Sequence, residues 1–184
     1  MSQPMAHSVL QHIDKNQFIT FSVEKQEYGV DIMSVREIRG WTETTLLPNT
    51  PKYIRGVINL RGAVVPIIDL RCRFGMGLTH ANKNHVVMIV NIENRIVGIL
   101  VDAVCDILMI SPDEVRPIPS IDNMENASIL KGIISLNDRM VALLILEKLL
   151  DSSIDIADVP STVQDLTALL NRQVDSDAGV EHVG

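Results

Sequence analysis

A mainly β fold built from two related small domains is what this sequence predicts, and three observations carry the prediction. The first is an internal repeat: Tyr28-Gly29-Val30-Asp31-Ile32-Met33-Ser34-Val35-Arg36-Glu37-Ile38 aligns, 69 positions later, with Val97-Gly98-Ile99-Leu100-Val101-Asp102-Ala103-Val104-Cys105-Asp106-Ile107. Glycine falls on glycine, an acid on an acid at Glu37/Asp106, and apolar residues coincide at Val30/Ile99, Ile32/Val101, Val35/Val104 and Ile38/Ile107. Gly56 to Leu60 likewise matches Gly132 to Leu136, and Pro66 to Leu70 resembles Leu144 to Lys148. Two copies of about 70 residues fit a pair of domains, whereas a solenoid repeats in shorter and more numerous units. The second observation is composition: 46% of the 184 residues are hydrophobic but only 3% aromatic, so Ile, Val and Leu must supply the core. Their β-branched members concentrate between Phe18 and Ile145 and favour strands. The third is a set of short apolar runs joined by two-residue turns.

Residues 1 to 15 are polar and aperiodic and read as a flexible arm. From Phe18 the chain alternates, with Phe18, Thr20 and Ser22 on one face and Ile19, Phe21 and Val23 on the other. Glu24 to Glu27 is a polar turn, Gly29 to Ile32 the returning strand, and Met33 to Ile38 its continuation, extended or bent at Ser34. Pro48 and Pro51 make their neighbourhood a loop. Val57 to Leu60 and Ala63 to Ile68 form a hairpin about Arg61-Gly62, where glycine takes positive φ without steric cost. Pro66 lacks a backbone donor, which predicts an edge or a bulge there. A short helical turn over Asp69 to Phe74 and a boundary over Gly75 to Asn84 close the first copy, about 16–80.

The second copy, about 85–150, repeats the plan. His85 to Ile92 and Ile96 to Val101 are strands about Glu93-Asn94-Arg95, and Asp102 to Ile110 continues the second of them. Ser111-Pro112-Asp113-Glu114 starts a helix that Pro117 limits to one turn, and Ile118 to Ser128 is a loop. Gly132 to Leu136 and Arg139 to Leu146 form the last hairpin, about Asn137-Asp138. In the final segment, 151–184, Ser161 and Gln164 fit a capping box, and Val163, Leu166, Leu170 and Val174 recur at helical spacing. These predict an amphipathic helix over about 161–173 that packs on the chain's own β body.

The net charge of -7 is uneven: seven acids and one base fall in 151–184, leaving the remainder close to neutral. A basic patch of the kind a phosphate backbone requires is missing, which argues against nucleic acid. Apolar runs such as Val141 to Leu146 are far shorter than a membrane span, and the N-terminus has no signal-like apolar segment. A soluble, cytoplasmic protein follows, with Cys72 and Cys105 as reduced structural thiols. The histidines, His7, His12, His80, His85 and His182, show no metal-ligand spacing and read as solvated residues. No nucleophile elbow, phosphate-binding glycine loop, dinucleotide fingerprint or zinc-protease motif occurs. Asp31, Asp69 and Asp102 lack the hydroxyl and glycine neighbours of an aspartic protease and read as acids bonded to backbone. Glu37 and Arg61 stand out as charges in apolar or turn surroundings: either a surface ion pair or part of a recognition surface.

Val35-Arg36-Glu37-Ile38-Arg39-Gly40, Pro48-Asn49-Thr50-Pro51 and the run Gly56-Val57-Ile58-Asn59-Leu60-Arg61-Gly62-Ala63-Val64-Val65-Pro66-Ile67-Ile68-Asp69-Leu70-Arg71 resemble the CheW family of chemotaxis coupling proteins. The likeness spans about 16–150 and implies two SH3-like five-stranded β-barrel subdomains around a shared apolar interface, with a short C-terminal helix. It further implies an adaptor with no catalytic activity, no cofactor and no metal. Such an adaptor joins the cytoplasmic tips of chemoreceptors to the regulatory domain of the histidine kinase CheA, and other CheW-like domains, in arrays at the membrane; the alternative is a related pathway controlling pili or a second messenger. By position, the resemblance implies a receptor-binding groove of Ile32, Val35, Glu37, Ile38, Val86, Gly98, Val104 and Ile107, a coupling role for Arg61, and a receptor helix laid in the groove. Each apolar residue in that set is also explicable as plain core packing, and Gly98 as close backbone approach.

Overall fold

The computed structural model describes residues 15–119, 127–150 and 159–177, with side chains described to residue 172. The expected N-terminal arm, apart from Lys15, and most of the 118–128 loop lie outside those residues. Ten strands form two five-stranded sheets: β1 (Asn16–Val23), β2 (Gln26–Asp31), β3 (Val35–Gly40), β4 (Ile54–Leu60), β5 (Ala63–Asp69), β6 (Val86–Ile92), β7 (Arg95–Val101), β8 (Ala103–Ile110), β9 (Leu130–Leu136) and β10 (Arg139–Leu144). A one-turn helix, α1 (Leu70–Arg73), follows β5, and α2 (Val163–Asp177) lies near the C-terminus.

The strand order is β8-β1-β2-β10-β9 in one sheet, barrel A, and β3-β6-β7-β5-β4 in the other, barrel B. Each curls so that the chain leaving one edge strand reaches the opposite edge: Thr45, after β3, bridges Val57 on β4, and Arg116, after β8, bridges Ile133 on β9. The repeat is therefore real but does not coincide with the barrels. Strands β1–β5 are one copy and β6–β10 the other, yet each copy gives its first hairpin to one barrel and its last three strands to the other. The division expected at 80–85 is corrected accordingly. The chain crosses between barrels at a 3-10 turn, Ile32–Ser34, and again at Asp102. Alternation along a strand reports which faces are buried and leaves the neighbouring strand unspecified.

Three apolar clusters explain why the strands read as nearly continuous apolar runs. Phe18, Ile110, Ile134, Val141 and Leu143 fill barrel A, while Leu60, Val65, Ile67, Val87, Ile89 and Leu100 fill barrel B. The third and largest lies between the barrels and takes the opposite faces of the same strands: Ile19, Phe21 and Val23 from β1, Met88, Val90 and Ile92 from β6, and Val97, Ile99 and Val101 from β7. A strand buried on both faces loses its polar alternation.

Local chemistry sets the joints. Arg61 and Gly62 both take positive φ, 52° and 90°, and the Asn59 side chain accepts the Gly62 N–H at 2.8 Å, giving the tight β4–β5 turn. The bulges repeat as well: Arg36 on β3 and Cys105 on β8, aligned by the 69-residue offset, are each the extra residue where the register shifts. The third repeat segment is corrected, because the hairpins superpose with Leu60–Ala63 on Leu136–Arg139, which places Leu70 on Leu146 and Asp69 on Ile145. Pro66 lies at a local edge: β5 runs between β4 and β7, but the β7 ladder begins only at Ile67. The Val64 N–H points away from β4, so by alternation the missing donor of Pro66 falls on that same, unladdered side.

Candidate functional site

The crossings between barrels bring the expected groove residues to the margin of the shared cluster. Ile32 lies in the first crossing turn, Val35 just beyond it, Val104 just beyond the second, and Val86 at the start of β6. All four are partly buried against the cluster between the barrels. Asp31 fixes the first crossing by accepting the Met33 N–H at 2.9 Å. Ile38 and Ile107, the matched pair of the repeat, behave differently: they sit on the edge strands β3 and β8 with 46% and 54% of their surface exposed. Gly98 is not a surface residue. It is buried in barrel B, where a Cβ would collide with Ile67 and approach Val87 Cγ1 to 2.9 Å, so its place in the groove is corrected to core packing. Gly29, its counterpart in barrel A, faces Leu143 in the same way.

Glu37 and Arg61 form an ion pair at 2.7 Å, with Arg39 at 3.6 Å from the other carboxylate oxygen. Arg61 sits in the positive-φ turn between β4 and β5, within reach of Glu37 on β3. Three quarters of the Arg61 side chain remains open to solvent, so a partner can still engage it.

Two polar clusters were not legible in the sequence. Asp69, fully buried, accepts hydrogen bonds from Thr79 N at 2.8 Å, Thr79 Oγ1 at 2.7 Å and Cys72 N at 3.2 Å, and pairs with Arg55 at 3.3 Å. Arg55 also donates to the Thr79 carbonyl and stacks over Trp41. This network tethers the 75–84 loop beside a cleft of about 590 Å3 whose walls include the exposed Leu46 and Leu78. Asp102 ties the second crossing to both barrels: it accepts the Glu24 N–H at 2.6 Å and faces Arg71 and His85, each at 3.5 Å, while Arg71 reaches Glu24 at 3.0 Å. His85 Nδ1 accepts the Asn82 N–H, which leaves Nε2 as the nitrogen facing Asp102. His85 is thus a packed, bonded residue and not the solvated one expected. The signal for both clusters was the aspartate ending each apolar run, but its partners other than Cys72 lie 10 to 78 positions away in sequence. Burial pushes the thiols of Cys72 and Cys105 above their ordinary range. Among the described residues no group of three His, Cys, Asp or Glu side chains is placed to hold a metal, and no helix is long and apolar enough to cross a membrane.

Residues 17–153 match the family model described as a CheW-like domain. The chain belongs to the CheW family. It is 45% identical over 133 residues to a probable chemotaxis protein CheW of Rhizobium etli, which covers 72% of this chain and 86% of that one. It is 43% identical over 136 residues to the chemotaxis protein CheW of Klebsiella aerogenes, covering 74% and 82%. Among solved structures, the crystal structure of the scaffolding protein TtCheW from Thermoanaerobacter tengcongensis superposes with a TM-score of 0.70 at 29% identity, over 85% of this chain and 99% of that one. The CheW-like region holds every strand, both crossings and all the expected site residues; α2 lies beyond it.

Proposed function

We propose that this protein is a cytoplasmic, non-catalytic scaffold that couples chemoreceptors to the histidine kinase CheA in bacterial chemotaxis. One observation carries the reading: in a CheW-family chain, two barrels meet on a common apolar cluster and leave the repeat-matched pair Ile38 and Ile107 exposed on equivalent edge strands. Exposed aliphatic residues on the edge strands suit the apolar face of an amphipathic receptor helix, and the ionic cluster of Glu37, Arg39 and Arg61, whose β3 members alternate with Ile38, offers a separate polar contact. Ile32, Val35, Val86 and Val104 pack against the cluster between the barrels. The carboxylates that could suggest catalysis, Asp31, Asp69 and Asp102, are each engaged in holding a turn, a loop or a crossing.

The decisive experiment is a three-component pull-down of this chain with the CheA regulatory domain and a receptor-tip fragment. Recovery of both partners together, dependent on this chain, is expected. Recovery of neither rejects the coupling role.

A further inference from the structure

The segment that follows the CheW-like region, beginning at Val159, lies on barrel B. The β5–β7 ladder starts at Ile67, so Ala63, Val64 and Val65 have no β7 partner. Residues 159–162 occupy that gap: Thr162 bridges Ala63, the Ser161 carbonyl accepts the Val64 N–H at 3.2 Å, and Arg95, at the start of β7, donates to the Val159 carbonyl at 3.1 Å. Val159 is buried against Val57 and Val64, and Leu47 and Leu166 complete the patch. Thr162 then caps α2: its hydroxyl accepts the Asp165 N–H at 3.2 Å and donates to the Asp165 carboxylate at 2.7 Å. The expected box at Ser161 and Gln164 is thus one residue early, which frees the Ser161 backbone to pair with β5.

Barrel A provides an internal comparison. There the equivalent ladder begins two positions earlier, at Val141, and Met140, the counterpart of Val64, is 62% exposed against 7% for Val64. The extension therefore covers on barrel B what its twin leaves open. The attachment is also short. Leu166 is the helix residue packed into the patch, Val163 is exposed, and Leu169 and Leu170 are only half-buried.

We propose that residues 159–170 are an intramolecular plug on a strand-docking edge of barrel B, and that an extended apolar strand of the kinase-side partner competes for the same edge. The chemistry selects a strand: a free backbone N–H at Val64 beside two valines recognises a carbonyl and an aliphatic side chain in extended register, and a helix has no carbonyl to spare along its length. The edge begins two residues after Arg61, so an occupant there adjoins the Glu37 ion pair. Only the identity of the competitor rests on the coupling role.

The test uses the full chain and its Val159→Asp/Leu166→Asp variant, a labelled peptide of residues 159–177, and the CheA regulatory domain. The variant should bind both the peptide and the kinase domain about tenfold tighter than the wild type, the gain expected if the edge is open about one tenth of the time in the wild type. Excess peptide should reverse that gain. Arg95→Ala, which loosens the plug without altering it, should shift both readouts in the same direction. The plug is refuted if the variant takes up peptide no better than the wild type, and the competition is refuted if both bind the kinase domain equally. If neither binds the kinase domain, the coupling role fails, and peptide binding by the variant alone decides the plug: uptake sustains it and none refutes it.

Discussion

Arg61, held at a φ of 52° in the β4–β5 turn, places its guanidinium 2.7 Å from the carboxylate of Glu37 on β3. The contact links a hairpin tip to an edge strand of the same barrel. Because it is exposed, its contribution to stability is small, below about 1 kcal/mol. Glu37→Lys should therefore leave the urea midpoint nearly unchanged while weakening capture of a receptor-tip fragment. Pairing it with Arg61→Glu restores the attraction within the chain. If the pair acts by holding Arg61 in place, the double variant recovers part of the binding; if each charge meets the partner separately, it loses more than either single variant.

Val104 and Ile107 separate core from surface. Val104 is packed against the shared cluster and Ile107 is more than half exposed. Ile107→Asp should keep the thermal midpoint within a few degrees and reduce receptor binding. Val104→Asp should cost about 2 kcal/mol or more, because it buries an unpaired charge at the crossing between barrels. Equal destabilisation by both would show that Ile107 is also structural.

Gly98→Ala should destabilise by about 1–3 kcal/mol, the usual range for overpacking a core. The added Cβ meets Ile67 and Val87, side chains that are themselves buried in the barrel B cluster. Gly29→Ala meets the Leu143 tip at 2.9 Å and should cost less. Urea denaturation of the two variants measures the difference, and a neutral Gly98→Ala would contradict the packing assigned here.

Asp69→Asn keeps the shape of the buried acceptor but removes its charge. It should cost about 1–3 kcal/mol through the weakened bonds to Arg55 and Thr79. Because the network holds the 75–84 loop, backbone amides there should exchange faster than those of β6. Uniform exchange across both would place the effect in global stability alone.

Much of the strand inventory was legible because short β-branched apolar runs are bounded by turns that carry Gly62, Asn94 and Asn137 at positive φ. The exposed state of Ile38 and the buried state of Gly98 were not, since the sequence does not say which face of each strand the barrel closes over. Bulges at Arg36 and Cys105 shift which side chains face inward, and a bulge is invisible to a period-two pattern.

By itself the sequence determined that the chain is mainly β, that it is duplicated, that it carries the CheW-family run through Arg61, and that its charge lies in the last segment. These are properties of local spacing and composition. The tertiary structure alone decided that the copies exchange hairpins, that the crossings gather Ile32, Val35 and Val104 at one seam, and that Val159 to Thr162 fill the gap beside Val64. The reason is that strand pairing joins residues whose mutual preference is weak and whose separation is long: any apolar strand of the right length satisfies the alternation, and only closure of both barrels at once selects the partner.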